Sequence, residues 1–122
     1  MKLPGPDHPI AIERSGARIR VRVGNIIVAD TMRALALREA HYPVVYYIPR
    51  DDTDMSLLTA TNHATLCPYK GDASYFSISA DGRDAVNAVW SYQRPYPAVA
   101  AIKDYLAFYP NRVDAIEIAP SS

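Results

Sequence analysis

Ten prolines are scattered through the 122 residues of the chain. Each fixes its own φ and removes a backbone donor, so long helices have little room. Tyrosine is over-represented, with nine copies beside two Phe and one Trp, and it suits half-buried strands and pocket walls because its apolar ring carries a hydroxyl that wants a partner. Both features point to β structure. A chain of this length buries roughly two-thirds of its unfolded surface. The expectation is one core in a single domain spanning residues 1–122, with residues 1–14 as an extended arm within it.

Arg18 to Val23 alternates charged and apolar side chains without a break, the pattern of a half-buried strand. Gly24-Asn25 tolerates positive φ and precedes Ile26 to Ala29, so the two runs read as a hairpin. Thr31 to Ala40 holds good helix formers, yet Ala34 to Leu37 could equally continue a sheet. Val44 to Ile48, between Pro43 and Pro49, reads as a strand, and Arg50 to Asp54 as a polar turn. Thr59 to Thr65 is a polar stretch and Cys67 to Gly71 a turn. Ser74 to Ser79 alternates again, with Tyr75 and Ser77 on one face and Phe76 and Ile78 on the other. Ala80-Asp81-Gly82 closes a hairpin into a strand over about Val86 to Tyr92. Beyond Pro95 and Pro97, Ala98 to Ile102 fits one helical turn, Tyr105 to Tyr109 a strand, and Asn111-Arg112 a turn into Val113 to Ile118.

Thirteen basic residues balance thirteen acidic ones, so no net field draws the protein to nucleic acid or to an anionic membrane. The stripe Arg18, Arg20 and Arg22 could track phosphates, but such a stripe is more often a solvated strand face. The single cysteine, Cys67, leaves no partner for an internal disulfide and rules out any zinc site needing two or four cysteines of this chain. A reducing cytoplasm is the expected compartment. The first ten residues lack the apolar stretch of a signal peptide, and no later run approaches the ~20 apolar residues of a membrane span.

The densest polar cluster runs from Thr61 to Tyr75. His63 could act as a base near neutral pH, Cys67 as a nucleophile if a cation lowers its pKa, and Lys70 as that cation. Against this, Cys67 also reads as a small buried hydrophobe and His63 as a turn residue. His63, Cys67 and one of Asp51, Asp52 or Asp54 show no recognised metal-ligand spacing, and neither a metal nor a cofactor is expected. Lys70-Gly71 lacks the upstream glycines of a phosphate loop. Asp52-x-Asp54 has the spacing of two metal-binding carboxylates on a strand face, but it follows a proline as an exposed turn would. Trp90 and Tyr92 share a strand face, and Tyr46, Tyr69 and Tyr75 are candidates to oppose them, as around a planar ring or a cation.

Four segments carry a family resemblance: Tyr46-Tyr47-Ile48-Pro49-Arg50-Asp51-Asp52, Cys67-Pro68-Tyr69-Lys70-Gly71-Asp72-Ala73-Ser74-Tyr75, Asn87-Ala88-Val89-Trp90-Ser91-Tyr92 with Pro95, and Ala107-Phe108-Tyr109 with Arg112-Val113-Asp114. Over nearly its whole length the chain resembles a bacterial family of small proteins of unknown function, in places labelled a nucleotidyltransferase domain. The resemblance implies a mainly β fold, the β-tent, with two antiparallel sheets pinned along one edge, splayed around a cleft and accompanied by little helix. It also implies that Ala34 to Leu37 is a strand. Proteins of that architecture include zinc-bearing methionine sulfoxide reductases and the thalidomide-binding domain of cereblon, whose four-cysteine zinc site this chain lacks the cysteines to build.

The leading expectation is a binding module whose cleft holds a small planar or anionic molecule between Trp90, Tyr92 and the tyrosines Tyr46, Tyr69 and Tyr75, with Arg50 and Lys70 fixing its charge. An enzyme with Cys67 as nucleophile, His63 as base and Lys70 as stabiliser is the alternative, beside the nucleotidyl transfer that the family label suggests. A third reading makes the aromatics core and an exposed face the contact of a homo-oligomer.

Overall fold

The computed structural model describes residues 1–120. Ten strands appear in chain order: β1 (Ile10–Arg14), β2 (Arg18–Val23), β3 (Ile26–Thr31), β4 (Leu35–Glu39), β5 (Val45–Tyr47), β6 (Leu58–Cys67), β7 (Gly71–Ala80), β8 (Arg83–Ser91), β9 (Ala107–Phe108) and β10 (Ala115–Ala119). Among the described residues, helical structure is confined to 3-10 turns at Arg50–Asp52, Met55–Leu57 and Pro97–Ile102. The prolines explain this in part, since Pro49 and Pro97 start two of those turns, where a missing N–H costs nothing.

All strand pairs are antiparallel, in sheets ordered β1-β4-β5, β10-β2-β3 and β6-β7-β8-β9. The fold is mainly β, and the two sheets implied by the family resemblance are here three. Two of the three are stitched together where Ile48 and Leu106 exchange a reciprocal pair of backbone hydrogen bonds of 2.7 and 2.8 Å. This seam sets β5 beside β9, so the first and third sheets meet along a shared line.

Two cores follow from that geometry. The first is aliphatic: Ile19, Val21, Val23 and Val28 of the β10-β2-β3 sheet pack against Phe76, Ile78, Val89 and Phe108 of the four-stranded sheet. The second fills the other face of β7 and β8 with Leu37, Tyr47, Tyr75, Tyr92, Val99 and Ile102. Alternation on β7 makes this division, because Tyr75 and Phe76 are neighbours in sequence and therefore point to opposite faces. The tips of the β2–β3 and β7–β8 hairpins also touch. Asp81 Oδ2 accepts from the Asn25 amide at 2.9 Å, and Asp114 accepts from the Gly24 amide and from Arg83. Gly24 has a φ of 57°, and a Cβ there would lie 2.2 Å from Asp81 Oδ2, so the contact requires glycine.

Several boundaries differ from the sequence reading. The last five residues of the expected arm are β1, paired with β4, because Ile10 and Ile12 alternate and rest on the second core. The polar stretch Thr59 to Thr65 lies within the ten-residue strand β6; its threonines are good strand formers, and pairing with β7 overrides the missing apolar alternation. The strand expected over Tyr105 to Tyr109 shortens to β9, and the one from Val113 begins at Ala115. Ala34 to Leu37 contributes to a strand, β4, and the turn over Ala98 to Ile102 is helical as expected.

Candidate functional site

A cavity of about 440 Å³ opens where β1, β4 and the end of β5 meet the segment before β9. Four cationic side chains line it, Arg14, Arg33, Arg50 and Lys103, together with Asp51, Asp104 and the ring of Tyr105. Arg50 is fixed most firmly. Its Nε donates to the Asp104 carbonyl at 2.7 Å and its Nη2 to Ser91 Oγ at 3.3 Å, while Ser91, fully buried, donates to the Tyr105 carbonyl at 2.8 Å. The guanidinium lies 5.4 Å from the Phe76 ring centre. The backbone of Asp104 turns with a φ of 65°, which an aspartate tolerates better than most residues.

Both acceptors of Arg50 are neutral, and among the described residues it makes no ion pair with a carboxylate. Arg33 is already paired through two hydrogen bonds with Asp52, whose carboxyl that guanidinium and the Thr31 hydroxyl hold below the usual range. Arg14 and Lys103 make no ion pair among the described residues. The groove can therefore take an anion onto a preorganised, partly desolvated guanidinium, with two further cations beside it.

The residues singled out from the sequence are divided among three places. Arg50 lies in this groove. Tyr46 and Trp90 line a separate apolar cavity of about 240 Å³ with Val44, Phe108 and Ile116. Alternation parts Trp90 from the contacts of Arg50: Arg50 bonds Ser91 and lies over Phe76, whereas Trp90 and its cross-strand partner Tyr75, each one residue away, point to the other face of β7 and β8. Trp90 donates to the Tyr47 hydroxyl at 3.3 Å and packs on Tyr109 with centroids 4.4 Å apart. Tyr75 shares a hydrogen bond of 3.2 Å with the Tyr109 hydroxyl and one of 2.9 Å with Thr65, and the ring of His63 sits 4.4 Å from its own. Burial pushes up the pKa values of Tyr47 and Tyr92, and that of Tyr109 to about 12.

Tyr69 and Lys70 belong to a third group. The Lys70 ammonium and His8 Nε2 each bond one oxygen of Glu39, the second at 2.7 Å, and the His8 ring stacks on Tyr69 with centroids 3.9 Å apart. Burial works to raise the Glu39 pKa, but the bonds from Lys70 and His8 outweigh it, and the carboxyl is held low. Cys67 is half-buried against the second core, and no hydrogen bond among the described residues joins it to His63 or Lys70.

No group of three or more His, Cys, Asp or Glu side chains converges among the described residues as a metal site would need. Asp52 is committed to Arg33 and Thr31, and Asp54 caps the next turn through Ser56. These carboxylates do not fit the two-carboxylate metal site that a nucleotidyl-transfer label implies. Sequence reasoning missed Arg14, Arg33, Lys103 and Tyr105, which stand in three separate segments with no shared motif. The Glu39 bridge also brings His8 beside Lys70, a contact that no sequence spacing signals.

Fold and groove together define a mainly β module with an open, cation-lined pocket. The chain belongs to the family described as a domain of unknown function, DUF427, whose model, labelled NTP_transf_9, matches residues 11–119. Among curated proteins, none matches the chain. No helix among the described residues is long and apolar enough to cross a membrane.

Proposed function

We propose that the protein is a small-molecule-binding module and that its ligand is an anion with a planar part, held in the groove between Arg14, Arg50, Lys103 and Tyr105. The observation that carries this reading is Arg50, a half-buried guanidinium locked by two neutral acceptors at the wall of this groove. An anion there gains charge-assisted hydrogen bonds without having to order the side chain that makes them. Tyr105 offers a ring face for the planar part.

Thermal shift against inorganic phosphate, pyrophosphate, nucleotides, sugar phosphates and aromatic carboxylates tests the reading. A ligand at ~100 times its dissociation constant adds roughly 2.7 kcal/mol, worth several degrees in a domain of this size. The expected result is a shift lost in Arg14→Ala/Lys103→Ala and retained in Trp90→Phe, which lies across the sheet. A hit that survives loss of both groove cations but fails in Trp90→Phe would move the site to the apolar cavity.

A further inference from the structure

Among the described residues, β6 is an edge strand that pairs only with β7, and no backbone hydrogen bond reaches residues 59–67 from any other element. Its ten residues contain no Asp, Glu, Lys, Arg or Pro. Exposed edges are usually protected by charge, proline or a covering loop, and the other edges of this molecule are. Strand β1 carries Glu13 and Arg14 behind Pro9, and β10 carries Glu117 ahead of Pro120. A loop covers β3 through the Ala29–Thr53 bridge and the Asp54 amide on the Val28 carbonyl.

The sequence of β6 names a partner for the open edge. From Leu58 to Leu66 it runs Leu-Thr-Ala-Thr-Asn-His-Ala-Thr-Leu, which is the same in both directions except at Thr61 and His63. We infer that β6 pairs antiparallel with β6 of a second copy about a two-fold axis through Asn62, joining two four-stranded sheets into one of eight. In that register Leu58 of one copy faces Leu66 of the other, Thr59 faces Thr65, Ala60 faces Ala64 and Thr61 faces His63. A two-fold contact demands such self-complementarity, because each residue must accept the mirror position of its own strand. Thr–Thr and aliphatic cross-strand pairs are favourable, and no like charges meet.

Two further features agree with this pairing. Leu66 is 65% exposed in the single chain, and the pairing covers it with Leu58. The irregularity of β6 lies between Ala60 and Ala64, on the axis itself, so the regular arms on either side, which ladder onto β7, cross-pair without a register conflict. The contact is small beside a standard interface of ~1,600 Å², which points to reversible association on the order of micromolar.

Sedimentation equilibrium of the wild-type protein at about 100 µM, well above a micromolar dissociation constant, should give a dimer mass. Ala60 and Ala64 are both exposed and face each other across the axis, so A60K/A64K and A60E/A64E each place like charges opposite one another. Both variants should be monomers with unchanged circular dichroism, and mixing them should restore a dimer. A monomeric wild type, a dimer that persists in either variant, or a mixture that stays monomeric would overturn the proposal.

Discussion

The two cores lie on opposite faces of β7 and β8, yet they are built from different materials. Both phenylalanines and most of the buried Val and Ile residues fill the first, which two sheets close. The second takes Tyr47, Tyr75 and Tyr92, with Trp90, Tyr105 and Tyr109 at its margin. There the sheets join at the Ile48–Leu106 seam, and hydroxyls keep partners, as in the Tyr75–Tyr109 and Trp90–Tyr47 bonds. An aliphatic core gains by excluding water, and a tyrosine core gains only while its hydroxyls are satisfied. The first core supplies cohesion; the second packs β4 and β5 against β7 and β8, beside which the cation-lined groove opens.

The harshest test of that contrast is Ile78→Ala. Ile78 is fully buried in the first core, and removing its side chain should cost about 2–5 kcal/mol, read as a fall in the urea midpoint. A loss below about 1 kcal/mol, the scale of a conservative Ile→Val change, would show that the first core is loosely packed.

Lys70→Met probes the polar margin of the second core. It leaves Glu39 enclosed with only His8, and the cost should be about 2–3 kcal/mol, under the 3–5 of a fully buried pair because Glu39 retains some solvent. The effect depends on pH. A carboxyl held low in the folded state stabilises above its unfolded value of 4.5 and loses that contribution as pH falls. Wild type should therefore weaken under acid more than Lys70→Met, and parallel acid profiles would mean that the pair contributes nothing to stability.

Tyr109→Phe should cost about 0.5–1.5 kcal/mol, the range for one hydrogen bond, here the bond to Tyr75. With a folded pKa raised to about 12 from 10.0, Tyr109 stabilises below pH 10 and loses that contribution as pH rises toward 12. The variant should thus lose less stability than wild type across that window; Tyr47 and Tyr92, raised by burial, keep part of the sensitivity. At the small end, Lys103→Ala should leave the thermal midpoint unchanged while weakening anion binding, because Lys103 is exposed and has no ion pair among the described residues.

Short-range rules account for much of the strand layout. Alternation from Arg18 to Val23, the Gly24-Asn25 and Asp81-Gly82 turns and the proline-bounded Val44 to Ile48 run all lie where those rules put them. Strand β6 escapes them, because its threonines carry no apolar alternation and only β7 makes them a strand. For the site, Arg50 is legible in the sequence as a cation just beyond a strand end, but its groove partners are 36 residues before it at Arg14 and 53 after it at Lys103. No spacing rule spans such distances.

The sequence by itself determined that the chain is mainly β, with helix reduced to single turns, since propensity, proline and alternation act over a few residues. It also determined the family, through motifs spread over most of the length. The tertiary structure alone decided that Arg50 and Trp90 stand on opposite faces, that Lys70 is spent on Glu39, and that one pair of hydrogen bonds stitches two sheets together. Those outcomes depend on which strands become neighbours and in what register, and register is set by the summed fit of whole faces rather than by any local segment.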